Sequence, residues 1–294
     1  MNIITCNPYR TLGILANATA REKERQVRKL KQYIEAEQEP PQDDYSFPVL
    51  GVVNRTLEDI NNAVSKLNLD SDKMNAALFW FYKGNEITDE VAFEALKDGD
   101  TNAARQIWEK LIIEISDDGI KYWKAVTKKN SSAFHNWSIL GFYNKINNWS
   151  LRACLRLLES DYYTELVKHV TDETFKIAKK DLQLNFLNIV ADEIEKKTIN
   201  LPLSELISLV EKENFSAKQD FVDIIAQKFM ANITAQIENA RKQRTANKAG
   251  ATTTGANLYR QTKNDLEQIK SVLGAENLKY SNIADKLAHE ILQC

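Results

Sequence analysis

The chain has 294 residues, 43% hydrophobic and 27% charged, enough to bury a sizeable core and too apolar for a disordered chain. A formal net charge of −2 gives no footprint for bulk nucleic-acid or membrane binding, leaving that role only to local basic clusters. Helix breakers are few: nine glycines and five prolines, with Pro8, Pro40, Pro41 and Pro48 all near the N-terminus, so an all-α fold is expected. Cys6, Cys154 and Cys294 are widely spaced and show no metal-ligand pairing, which suits a reducing cytoplasm. The N-terminus lacks a signal-peptide pattern, and no apolar run reaches the ~18–20 residues of a membrane span. A cytoplasmic protein is expected, with neither nucleic acid nor membrane among its partners.

Tyr9 and Leu12 share one helical face, and Gly13 marks a stop. Thr19 and Glu22 have the spacing of a capping box for a second helix. There Val27, Leu30 and Ile34 form an apolar line, while Arg21, Arg25, Arg28, Lys29 and Lys31 project elsewhere. A third helix carries Leu57, Ile60, Ala63, Val64 and Leu67.

This order of elements resembles a J domain. Asn7-Pro8-Tyr9-Arg10-Thr11-Leu12-Gly13 is similar to the family's opening "D-Y-Y-x-x-L-G", and Ala18-Thr19-Ala20-Arg21-Glu22 to the start of its helix II. Val27-Arg28-Lys29-Leu30 lies where the family has Tyr-Arg-Lys-Leu, and Ile60-Asn61-Asn62-Ala63 with Leu67 matches its helix III. The His-Pro-Asp tripeptide by which the family acts on a DnaK-type ATPase is absent, and Glu35-Ala36-Glu37 stands in its place. The resemblance implies a degenerate J-like unit over residues 1–82. Its helix II, with Arg21, Arg25, Arg28 and Lys29, would be a docking face for an acidic partner protein, a chaperone or its client. The plainer reading is a solvated helix face, part-balanced by Glu22 and Glu24.

The aromatic run Leu78-Phe79-Trp80-Phe81-Tyr82 is expected to be buried against the following helices. Thr88 should cap a helix that Asp98-Gly99 ends, and Asp100 the next, which bears Ala104 and Trp108. These residues, and Trp137-Ser138-Ile139-Leu140-Gly141 with Ala153, resemble tetratricopeptide hairpins over 83–168. Ala104 and Ala153 are 49 residues apart against ~34 in a regular array, so 117–133 should be an insertion. Such hairpins either offer a groove to a peptide or pack as a plain bundle.

A helical C-terminal region, 169–294, completes the chain. It contains an amphipathic helix from Lys180 to Ile194, a helix opened by Pro202 and one capped by Ser216 and Gln219. A flexible loop is expected near 242–257, rich in Lys, Arg, Thr and Gly, before two closing helices. Gly250 to Gly255 lacks the Lys-Ser/Thr ending of a phosphate loop.

Chemistry-bearing patterns are missing. His135, His169 and His289 are solitary, Cys154 reads as a core residue, and Asp43-Asp44 and Asp117-Asp118 read as loop charges. No catalytic, cofactor-binding or metal residue is assigned. The function expected is a non-enzymatic interaction or scaffold protein associated with a chaperone system. Two alternatives stay open: a J-domain co-chaperone acting without His-Pro-Asp, and an enzyme with a site assembled from distant helices.

Overall fold

A computed structural model describes residues 3–40, 44–143 and 148–294, so Pro41 and Asp43 lie outside the described residues. The chain is all-α and divides into two compact units, Met1–Leu201 and Pro202–Cys294.

The first unit opens with α1 (Pro8–Leu12), α2 (Ala20–Glu35) and α3 (Leu57–Ser65), and α1 packs on both of the others. Their ends are set by local chemistry. Asn7 caps α1, and Gly13 takes φ +67° to end it. Thr19 with Glu22 closes a capping box on α2, and Thr56 with Asp59 does so on α3. Leu30, Ile60, Ala63 and Leu67 are buried as their spacing requires, whereas Leu57 stays exposed.

Between α2 and α3 the chain is held by buried charge. Arg10 donates to the carbonyls of Thr5, Ser46, Leu50 and Gly51. Asp44 receives Arg55 at 3.0 Å, the Gln26 amide and the Ser46 N–H. Apart from the bond to Thr5, each of these ties the connection to α1 or α2, or closes it on itself. A guanidinium taken out of water survives only with such partners.

Next come α4 (Asp70–Ala77) and the aromatic run, every member of which is buried. Phe81 stacks on Trp108 and meets Phe47 and Phe93 edge-on, while Phe79 stacks on Phe186. Such aromatic contacts are worth roughly 0.5–1.5 kcal/mol each beyond area burial. The run is not helical, so its peptide groups need outside partners. The Asn136 side chain bonds both N–H and C=O of Tyr82, and Asn17 does the same for Lys83.

Around this run stand α5 (Thr88–Lys97), α6 (Thr101–Ile112), α7 (Ser131–Tyr143), α8 (Asn148–Glu159), α9 (Tyr163–Val170) and α10 (Lys179–Glu195). Thr88 is not the cap of α5. It is the first helical residue, its buried hydroxyl has no partner, and the Asn85 side chain accepts the Ile87 and Thr88 amides instead. Asp100 caps α6 as expected. The stretch after α6 holds an antiparallel pair, β1 (Ile113–Ile115) and β2 (Lys121–Trp123), with Ile113 opposite Trp123. Its turn uses Gly119 at φ +80° and the Asp118 carboxylate bound to the Ser116 hydroxyl. Gly141 lets α8 approach α7 closely, because a Cβ there would meet the Ser150 side chain.

The second unit holds α11 (Leu203–Lys212), α12 (Lys218–Ala246), α13 (Ala251–Leu273) and α14 (Leu278–Gln293). α12 starts at Lys218 with Ala217 in the cap position, one residue past the expected Ser216. The expected loop at 242–257 is also corrected. It is the end of α12, a tight turn at Lys248–Gly250 and the start of α13. Threonines are tolerated in this helix because Thr254 returns its hydroxyl to the Gly250 carbonyl. Gly255 is required by contact, since its α-carbon faces Cys294. Ile233, Ile237, Leu258, Ile269, Ile283 and Leu287 form the core of this unit. Among the described residues no helix is long and apolar enough to cross a membrane.

Asp89 is fully buried and accepts from the Gly84 and Asn85 amides, the Trp108 indole at 2.9 Å and the Asn136 amide. Replacing it strands all these donors, so Asp89→Ala is expected to cost about 3 kcal/mol or more in urea unfolding. A loss below about 1 kcal/mol would mean the network adds little.

Candidate interaction surface

Helix α2 is long because its sequence lacks glycine and proline and its first turn is capped from both sides. The bond from the Thr19 backbone holds the Glu22 carboxyl below the usual range. Leu30 turns inward, while Arg21, Arg25 and Arg28 are exposed and Lys29 is half-buried. At 100° per residue these four fall within one sector of the helix.

They do not converge on one cavity. Arg28 borders a groove of about 500 Å³ between α2 and α3, with Val27, Lys31 and Val64. Arg25 and Lys29 border a cleft of about 380 Å³ on the other side, against Asp44, Tyr45, Lys83 and Glu86. Arg21 lines neither. This second cleft mixes both signs of charge, and Glu90 holds the Lys83 ammonium above its usual range while pairing with it at 2.7 Å. At the C-terminal end of α2, Glu35, Ala36 and Glu37 are exposed, with Glu37 at φ +55°.

In the hairpins, Ala104, Trp108, Trp137, Leu140 and Ala153 all face the core. Beside them lies a cluster that sequence reading missed. Trp123 and Trp149 have ring centres 5.1 Å apart, and the Arg156 guanidinium lies 5.5 Å over Trp123. These residues come from β2 and α8, too far apart in sequence to announce the contact.

Other titratable groups are scattered. Cys154 is buried and its thiol is pushed up by desolvation. His169 bonds the Glu165 carbonyl and His289 the Gln293 side chain. No group of three or more His, Cys, Asp or Glu side chains able to hold a metal occurs among the described residues. Comparison with family models, with curated proteins and with solved structures gives no match to this chain.

His135 is the most perturbed of the three histidines. It is fully buried, its Nε2 lies 2.8 Å from the Trp80 carbonyl, and its Nδ1 has no partner. A carbonyl only accepts, so Nε2 carries the proton of a neutral ring. Burial lowers its pKa from 6.5 to about 4. The unfolded chain therefore binds the extra proton first, and stability falls as pH drops from about 6.5 to about 4, by roughly 3 kcal/mol, then levels off. His135→Gln keeps an amide donor without the titration. Urea unfolding at pH 7 and pH 4 should show the variant losing less stability than the wild type by about that amount. Equal losses would place the proton elsewhere.

Proposed function

We propose that this is a non-enzymatic interaction protein of the cytoplasm associated with a chaperone system. Residues 1–82 serve as a J-like unit that has lost its motor-activating tripeptide, and 83–168 as tetratricopeptide-like hairpins that hold it rigidly. The partner is a protein with an acidic surface, engaged by Arg21, Arg25, Arg28 and Lys29. The observation that carries this reading is the exposure of the arginines of α2 while Leu30 of the same helix anchors the unit. A cationic face steers an acidic surface and orients it, even though isolated surface ion pairs add little affinity.

The test compares the wild type with a variant carrying Arg21→Glu, Arg25→Glu, Arg28→Glu and Lys29→Glu. The wild type should capture a specific partner from host lysate, with recovery declining as salt rises, and the variant should lose it at least tenfold. The same samples are added to a DnaK-type ATPase, where no stimulation is expected because His-Pro-Asp is missing. Equal capture by both proteins would overturn the role of α2. Stimulation at saturating concentration would favour a working co-chaperone.

A further inference from the structure

Between Glu238 and Asp265 the chain contains no acidic residue but carries Arg241, Lys242, Arg244, Lys248, Arg260 and Lys263. The fold spreads these charges along the closed half of the hairpin formed by α12 and α13: Arg241, Lys242, Arg244 and Lys248 near the turn, Arg260 and Lys263 on the order of 15–20 Å along α13. Lys242, Lys248, Arg260 and Lys263 are exposed on its surface. The end is also rigid. Arg241 and Arg244 clamp the fully buried Glu290 of α14 at 2.6 and 3.0 Å, and Gly255 closes on Cys294. The rest of the second unit carries eleven acidic against six basic side chains, so the hairpin is its positive pole while the unit as a whole is near neutral.

We propose that this end binds single-stranded nucleic acid through its phosphodiester backbone, without reading sequence. Dispersed cations on a rigid tip suit a polyanion with regularly recurring charge, because each neutralised phosphate releases counterions. Neutral donors stand among the cations, Asn247, Thr252, Thr253 and Asn257, all exposed and of the type that bonds phosphate oxygens. Tyr259, half exposed beside Arg260, supplies a stacking face for an unpaired base. An anionic membrane fits less well, because Tyr259 is the one large apolar side chain exposed over this stretch and no aliphatic wedge accompanies it. This site is separate from α2 and does not depend on the partner proposed for it.

The test is fluorescence anisotropy on the full chain with a labelled oligouridylate of about 20 nucleotides, the matching oligodeoxynucleotide and a DNA duplex of the same length. The expected result is binding to both single strands that weakens by on the order of 50-fold from about 50 to 200 mM salt, as about four phosphate contacts require. Lys242→Glu, Lys248→Glu and Arg260→Glu together should weaken it at least tenfold, while Lys270→Glu with Lys286→Glu, away from the tip, should not. Circular dichroism checks the fold, and the corresponding glutamine triple serves if the glutamate triple is unfolded. Absence of binding at low salt, or a tip variant that binds like the wild type, would overturn the proposal. So would tighter binding to the duplex, to polyglutamate or to phosphatidylserine vesicles.

Discussion

A buried stretch of non-helical backbone, Leu78 to Lys83, is the constraint on which the first unit depends. Its side chains supply the aromatic centre, but its peptide groups cannot satisfy one another as a helix would. The unit meets this need with side chains from both directions along the sequence. Asn7 comes from the cap of α1 and Asn17 from the turn before α2, and His135 and Asn136 from α7. Asn136 then bonds Asp89, which in turn holds the Trp108 indole. Asn136, Asp89 and Trp108 thus form a polar chain inside an aromatic core, and removing Asn136 or Asp89 leaves several groups unpaired at low dielectric.

The buried polar groups described in the first unit are committed to structural partners. Arg10, Asp44, Asp89 and His135 are all buried, and each is bonded to backbone carbonyls, backbone amides or side-chain partners. Exposed cations gather on two helical supports, the sector of α2 that carries Arg21, Arg25 and Arg28 and the α12–α13 hairpin. A capping box holds the start of one, and the Arg241–Glu290–Arg244 clamp holds the other.

The helices were legible wherever period and end signals agreed. Scarce glycine and proline gave the all-α class, Thr19 with Glu22 the start of α2, Asp100 the start of α6, and the aromatic run its burial. The misreadings share a physical cause. Thr88 is a competent cap by type but is already helical, and the Asn85 side chain accepts the Ile87 and Thr88 amides, while the cap position of α12 falls on Ala217, one residue past Ser216. Residues 242–257 looked like a loop because threonine and glycine are poor helix formers, yet tertiary packing of Leu258 and the contact of Gly255 with Cys294 outweigh propensity. The polar network was invisible because Asn17, Asn136 and Asp89 have ordinary local sequence; only the fold brings them to Tyr82 and Lys83. On α2 the sequence places the four cations on one side, and in the structure Arg28 borders one cleft, Arg25 and Lys29 another, and Arg21 neither.

Native-state hydrogen exchange at the Tyr82 and Lys83 amides probes the central constraint most directly. Both are bonded to asparagine side chains and lie outside any helix or strand. If the network holds the first unit together, these amides exchange only through global opening, with protection matching the core helices. Exchange at the fast rates of a loop, while α5, α6 and α7 stay protected, would contradict the account.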